Sequence, residues 1–379
     1  MMTSRASVCI VFGTRPEAIK LAPVIRAFRR SSELTTHVVL TGQHREMVEQ
    51  VLQLFEIEAD RDLQIMQARQ TLTDITHRSL QGLEQIFIEL QPGLVLVQGD
   101  TTTAFAAALA AFYQKISVGH VEAGLRSRDL FNPYPEEANR RLISQLSQLH
   151  FAPTQMAADN LHSTGVFGEV HLTGNTVIDA LLTTADRQPD CQVPGLDWGR
   201  YRTILSTVHR RENWGEPLAK IIRSFTEILA RFPDTALLLP LHRNPVVREP
   251  LQAALGSHPR VFLTEPLDYA QLVGALQRCH LLLTDSGGLQ EEAPSLGKPV
   301  LVLRETTERL EAVAAGTTRL VGTEPESIVA ATSELLCNQA TYDAMSAAIN
   351  PFGDGHAAER IVNLVERYLL PNSVTYSPS

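Results

Sequence analysis

Short apolar runs of strand length alternate with longer helical patterns from one end of this chain to the other. Ser7 to Phe12, Thr36 to Leu40, Leu94 to Gln98, Ser117 to Val121, His150 to Ala152 and Val170 to Leu172 read as strands. Amphipathic stretches such as Glu46 to Phe55, Leu72 to Leu90 and Thr102 to Tyr113 separate them. A second series runs through Thr203 to Val208, Ala236 to Leu239, Val261 to Leu263, Leu281 to Leu283, Pro299 to Leu303 and Thr318 to Val321. Strands that are apolar at nearly every position leave no face for water, so they belong in parallel sheets covered by helices on both sides. Between the two series, Asp186 to Gly199 carries Pro189, Pro194 and Gly195 without periodicity and reads as a linker or irregular hinge. The expected fold is therefore α/β, with two doubly wound domains at 1–185 and 200–352 and a C-terminal segment at 353–379. Ligands of such sheets bind beyond the carboxyl ends of the strands, and with two such domains in tandem the expected place is the cleft between them.

Composition narrows the class. A chain of 379 residues is long for one domain and comfortable for two. The formal charge of -9 argues against broad binding to nucleic acid or anionic membranes, which calls for a basic surface. Cys9, Cys191, Cys279 and Cys337 lie far apart and form no CxxC pair, so neither a zinc site nor a disulfide framework is indicated, and a reducing cytoplasm is the expected setting. No signal-peptide pattern opens the chain, and no apolar run approaches a membrane span. Metal-ligand spacings are absent near the acids, and no GxGxxG follows the first strand, so neither a metal nor a nicotinamide cofactor is expected.

The polar residues that demand explanation sit where strands end. After Leu281 to Leu283 comes Thr284-Asp285-Ser286-Gly287-Gly288-Leu289-Gln290-Glu291-Glu292. Two glycines remove side-chain bulk where a helix begins, so a phosphate can reach free backbone N–H groups and the positive end of the dipole. One of Glu291 and Glu292 can reach back to vicinal hydroxyls such as those of a ribose. An ordinary tight turn with two solvated acids is the plainer alternative, but the polar strand end favours a nucleotide diphosphate site. After the first strand, Thr14 and Glu17 have capping-box spacing and Pro16 suits a first helical turn. Arg15 and Lys20 oppose the dipole there unless an anion is bound. Asp100, Glu122 and Glu136 open three further loop or helix segments. Each alone is explained by capping or by the dipole; together they suggest acid–base work on a group attached to the phosphate. His209 and His242, each followed by arginine at successive strand ends, form an anion-binding pattern, with His44 a weaker candidate. His37, His150 and His280 open strand-like runs and read as structural.

In order, FGTRPEAIKLAP, TGQHREM, GDTTTA, GHVEAGLRS, YPEEANR, HFAPT, TGNTVIDAL, HRRENWG, PLHRNP and TDSGGLQEEAPSLGKPVLVLRETTER span about Ile10 to Asp354. This set resembles the non-hydrolysing UDP-N-acetylglucosamine 2-epimerases of bacteria. The resemblance implies a GT-B-type fold, with the active site between the two Rossmann-like domains and a last helix, here His356 to Leu370, that crosses back to the first. It implies interconversion of UDP-GlcNAc and UDP-ManNAc, a place in cell-surface polysaccharide biosynthesis, a homodimer and no cofactor. By motif, Arg15 and Lys20 face the diphosphate, and Asp100, Glu122 and Glu136 are acid–base candidates. His209 is a further catalytic residue; Ser286, Gly287 and Gly288 hold phosphate, and Glu292 holds the ribose. Gln43, Arg69, Arg210 and His242 match an allosteric site for a second UDP-GlcNAc found in some members. Two positions depart from the family: Leu310 replaces a usual proline, which frees the backbone beside Arg309. Leu272 replaces a frequent aromatic near the uracil, which gives up stacking.

The same fold and donor serve other chemistry. A 2-epimerase of a UDP-2,3-diacetamido uronic acid, a hydrolysing epimerase, a GT-B glycosyltransferase and a non-catalytic nucleotide-sugar sensor are the alternatives. A transferase needs an acceptor surface, which the sequence does not display. A sensor should have lost one of Asp100, Glu122, Glu136 and His209, and all four are present.

Overall fold

The computed structural model describes residues 6–371 apart from His44, Ala68 and Arg128. The chain divides into two compact units. One comprises the chain up to Ala180 together with the segment from Gly353 onward, and the other is Leu181–Phe352.

The first unit is built on β1 (Ser7–Phe12), β2 (Thr35–Leu40), β3 (Arg61–Asp62), β4 (Leu94–Gln98), β5 (Ser117–Val121), β6 (Leu149–Ala152) and β7 (Glu169–Leu172). They pair in parallel in the order β3-β2-β1-β4-β5-β6-β7. Val8 to Phe12 are wholly buried, as expected of a central strand covered on both faces. The helix Thr102–Tyr113, expected to be amphipathic, buries Ala104, Ala106, Ala107, Ala108, Ala110 and Ala111 and so is apolar almost all round. It packs against the helices Leu72–Leu90 and Glu136–Leu146 as well as the sheet, and small side chains permit that close approach.

The last helix, Ala357–Leu369, belongs to this unit and buries Ile361, Val362 and Val365. The buried Asp179 carboxylate accepts hydrogen bonds from the Ala357 and Ala358 N–H groups at 3.2 and 2.8 Å, satisfying two donors at the helix start. Ser31 donates to Glu366 at 2.6 Å, and the Ser117 and Tyr368 hydroxyls meet at 2.9 Å.

The second unit holds β8 (Arg202–Thr207), β9 (Thr235–Pro240), β10 (Val261–Thr264), β11 (Leu281–Thr284), β12 (Val300–Val302) and β13 (Thr318–Leu320). Their parallel order is β10-β9-β8-β11-β12-β13. The stretch Asp186 to Gly199 lies inside this unit as packed irregular chain, with Cys191, Val193 and Leu196 buried and the Trp198 indole donating to Cys191 O at 3.2 Å.

Both sheets reverse their strand order beside their first strand, between β1 and β4 and again between β8 and β11. The connections leave towards opposite faces at such a point, so the loops at the carboxyl ends part and leave a crevice. This topology decides where a ligand of each unit can sit.

Candidate active site

In the first unit the loops after β1, β4 and β5 meet at the switch point. Gly13 follows β1, and a Cβ there would lie 2.1 Å from Thr41 Oγ1, so the loop can pass only with glycine. Glu17 is buried and accepts hydrogen bonds from the Gly13 and Thr14 N–H groups at 3.1 and 2.7 Å and from the Thr101 hydroxyl at 2.7 Å. Burial pushes its carboxyl above the usual range, and those hydrogen bonds pull the other way. Glu17 therefore does more than cap its own helix: it ties the Arg15 loop to the loop that carries Asp100. Arg15, half-buried, has no ion-pair partner among the described residues.

The three acid–base candidates occupy three different settings. Glu122 is buried and sits at φ 63°, a left-handed conformation that a glutamate adopts at a cost of about 1–3 kcal/mol. Both its oxygens meet Lys20 Nζ, at 2.6 and 2.7 Å, and it accepts from the Gln98 amide and, at 3.4 Å, from Asn175 Nδ2. Lys20, expected to face the diphosphate, is thus engaged with a carboxylate. Asp100 is clasped by Arg140 through Nη2 and, at 3.1 Å, through Nε, while Asn139 Nδ2 donates to its carbonyl at 2.9 Å. Glu136 opens its helix half-buried and without a hydrogen-bond partner among the described residues. Its neighbour Glu137, wholly buried, instead anchors Arg140, Arg141 and the Ser127 N–H at 3.2, 2.6 and 2.8 Å. Sequence reasoning missed Arg140, whose partner Asp100 lies on another loop, and read Glu137 only as an acid suited to a helix opening, whereas it holds Arg140 and Arg141 of its own helix and the Ser127 N–H of the preceding loop. Of the remaining positions, Gln43 accepts from Thr103 Oγ1 at 2.9 Å, Arg69 is exposed at φ 59°, and His44 lies outside the described residues.

In the second unit the loops after β8, β9 and β11 converge in the same way. The Thr207 and Thr284 hydroxyls link β8 and β11 at 2.6 Å, directly before the two loops part. Ser286 precedes the helix Gly287–Glu292, and Gly287 is buried beneath two guanidinium groups. A Cβ at Gly287 would lie 3.4 Å from Arg210 Nη2 and 3.6 Å from Arg309 Cζ. Arg309 stays anchored despite Leu310, donating through Nε to Glu291 at 2.7 Å. Two cations, backbone N–H groups and a glycine together suit a diphosphate. Glu292 is buried and accepts from the Tyr269 hydroxyl at 3.1 Å, while Gly288 is exposed. The His209 and His242 rings stack with centroids 6.0 Å apart. Asp285, which sequence reasoning passed over, is wholly buried behind His209. Arg210, read as allosteric from the sequence, stands over the same helix start as Ser286 and Gly287. Among the described residues no cluster of side chains could hold a metal ion, and no helix is long and apolar enough to cross a membrane.

Two sheets of Rossmann order, one ending in carboxylates and the other in a cationic turn over a glycine, define a nucleotide-sugar enzyme of the GT-B-like class. Residues 26–366 match the family model described as UDP-N-acetylglucosamine 2-epimerase, and the chain belongs to that family. It is 50% identical over 364 residues to a UDP-N-acetylglucosamine 2-epimerase of Neisseria meningitidis, covering 94% of this chain and 98% of the relative. It is 49% identical to one of Bacillus subtilis, covering 94% of each. A crystal structure of the Neisseria meningitidis UDP-GlcNAc 2-epimerase bound to UDP-GlcNAc superimposes with a TM-score of 0.87 at 49% identity, covering 95% of this chain and 100% of that one.

Proposed function

We propose that this protein interconverts UDP-N-acetylglucosamine and UDP-N-acetylmannosamine by inverting sugar C2, in the cytoplasm and without a metal or nicotinamide cofactor. The observation that carries the reading is the division of labour between the two sets of strand ends. Arg210, Arg309, Ser286 and Gly287 offer positive charge and N–H donors to a diphosphate, with His209 beside them. Asp100, Glu122 and Glu136 offer carboxylates to the hexosamine. Glu292 takes the ribose hydroxyls, and Arg15 and Lys20 add charge on the carboxylate side.

The chemistry follows from the substrate. C2 has no carbonyl beside it, so its proton is not acidic while C1 keeps its bond to UDP. Heterolysis of the C1–O bond sends its electron pair to the β-phosphate oxygen and leaves positive charge at C1, which acidifies the C2 proton. A carboxylate takes that proton, the C2–H electrons form the C1–C2 double bond, and the products are UDP and 2-acetamidoglucal. Cations and N–H donors around UDP stabilise the departing charge. Re-addition of UDP to C1, with proton delivery to the opposite face of C2, gives the epimer. Two faces need more than one proton-carrying group, hence several carboxylates. Water must be kept from C1, because its attack there gives hydrolysis.

Regulation and assembly belong to the same reading. Gln43, Arg69 and His242 are proposed to hold a second UDP-GlcNAc as an activator, with Arg210 shared between that ligand and the substrate diphosphate. A homodimer is proposed through the helices Leu72–Leu90, Thr102–Tyr113 and Glu136–Leu146. They pack side by side and leave Ile88, Phe112, Tyr113 and Leu142 about half or more exposed, large apolar side chains that a partner subunit could cover. Sedimentation should return twice the 41.8 kDa chain mass; a monomer at micromolar concentration would remove that part. The activity itself is tested by incubating the protein with UDP-GlcNAc and separating the nucleotides. The reading expects UDP-ManNAc to accumulate without free sugar. Stoichiometric UDP and free N-acetylmannosamine would mean a hydrolysing enzyme instead.

A further inference from the structure

Asp285 follows β11 and is wholly buried, and its two carboxylate oxygens do separate tasks. Oδ2 accepts three N–H donors: the His209 and Arg210 backbone groups, each at 2.9 Å, and Asn213 Nδ2 at 3.0 Å. That oxygen pins the loop after β8 to the end of β11. Oδ1 is buried, has no other hydrogen-bond donor among the described residues, and lies 3.0 Å from His209 Nδ1. A buried carboxylate oxygen without a donor is costly, and a proton on Nδ1 is what removes the cost. Burial pushes the Asp285 carboxyl upward, but the His209 ring and the N–H donors outweigh it and hold it below the usual range. The imidazole is a little over one-third exposed, with the His242 ring stacked on it and Arg210 next in the chain. The carboxylate is the negative group set directly against Nδ1, where it can balance a positive charge on the ring.

We propose that Asp285 is a positioning residue for His209: its Oδ1 fixes a proton on Nδ1 and leaves Nε2 as the nitrogen offered to the substrate, with the ring able to carry a positive charge. Resting on the reading above, that charge is the one placed beside the UDP leaving group. The reaction gains an oriented donor whose protonation is supported from behind, the role a buried carboxylate plays behind histidine in other enzymes.

Asp285→Asn gives a sharp test. Three N–H donors occupy the Oδ2 position, so only the amide oxygen can sit there, and the amide NH2 must then face His209 Nδ1. A donor facing Nδ1 forces the neutral ring to carry its proton on Nε2 and disfavours the imidazolium. Nitrogen-15 NMR of the histidines, with His209→Gln used for assignment, reads this without any turnover. In the unsubstituted protein the neutral His209 ring should be protonated at Nδ1; in Asp285→Asn it should be protonated at Nε2, with its titration midpoint lowered. Activity gives the second readout. Asp285→Asn should lower kcat by about 10²-fold or more while KM changes little. In a His209→Gln background the same substitution should cost almost nothing, because the residue acts through the ring. A neutral His209 ring in the unsubstituted protein protonated at Nε2 would overturn the proposal, and that spectrum needs no folded variant. Full additivity of the two substitutions would overturn it as well. If the spectra behave as expected but the unsubstituted protein turns over no UDP-GlcNAc, the dyad stands and the functional reading falls.

Discussion

Asp100, Glu122 and Glu136 look alike in the sequence, yet their surroundings predict different responses to removal. Asp100→Asn, Glu122→Gln and Glu136→Gln should each lower kcat by about 10²–10⁴-fold with UDP binding kept. Stability should separate them. Glu122→Gln leaves Lys20 facing a neutral amide in a largely buried pair, and Asp100→Asn does the same to Arg140, so both should lower the unfolding midpoint. Glu136→Gln removes no partner among the described residues and should leave it unchanged. Turnover and thermal unfolding of the three variants check this; near-normal turnover in all three would make the acids structural. The contrast also marks where residue-level reading stops. The Ser286-Gly287-Gly288 turn is legible because its cause is local: a strand end, two glycines and a helix start. The partners of Asp100 and Asp285 are not, since Arg140 lies 40 residues on and the His209 N–H 76 residues back. Only the folded loops bring such pairs together.

Elements were easier to read than their partners, because a strand buried on both faces is an unbroken apolar run and most of these are. The runs at Ser7–Phe12, Leu94–Gln98 and Ser117–Val121 stand at their expected limits. The two-residue strand Arg61–Asp62 escaped because an edge strand of that length carries no apolar signal. Helix ends give a direct prediction. Asp179→Ala deletes the acceptor for two N–H groups at the start of Ala357–Leu369, which should cost about 0.5–2 kcal/mol of stability. Hydrogen exchange should speed up first in that helix, and unchanged protection there would contradict the anchoring. Within β5, His120 is wholly buried with Nε2 2.7 Å from Gly99 O, and burial pushes its pKa down to about 3. The unfolded ring titrates near 6.5, so the folded state binds fewer protons below that pH. Its contribution is therefore complete above about pH 6.5 and is lost as pH falls towards 3, at about 1.4 kcal/mol per pH unit. Denaturant unfolding at a series of pH values should show that slope, reduced in His120→Asn; a flat profile from pH 6.5 to 4.5 would oppose it.

For the whole molecule, the two units repeat one plan: Rossmann strand order, a switch point beside the first strand, and functional side chains on the loops that part there. The alternation of runs made this doubled architecture legible, since two βα series with one irregular stretch between them have few other ways to bury their strands. Regulation is a property at this scale, because two of the proposed activator residues, Gln43 and Arg69, belong to the first unit and two, Arg210 and His242, to the second. UDP-ManNAc alone should react slowly until a trace of UDP-GlcNAc is added, an effect of about 1–3 kcal/mol for typical couplings. Arg69→Ala should abolish the activation, whereas simple saturation kinetics in both directions would return these residues to structure or substrate binding. The central claim is that C2 loses its proton to a side chain and regains one that has exchanged with solvent, while UDP departs and returns. Proton NMR of UDP-GlcNAc incubated with the protein in D2O, with no added metal or nucleotide cofactor, tests it most directly. The account predicts UDP-ManNAc as a minority species and the loss of the C2 proton signal from both sugars. Unlabelled UDP-GlcNAc recovered after prolonged incubation with folded protein would contradict it.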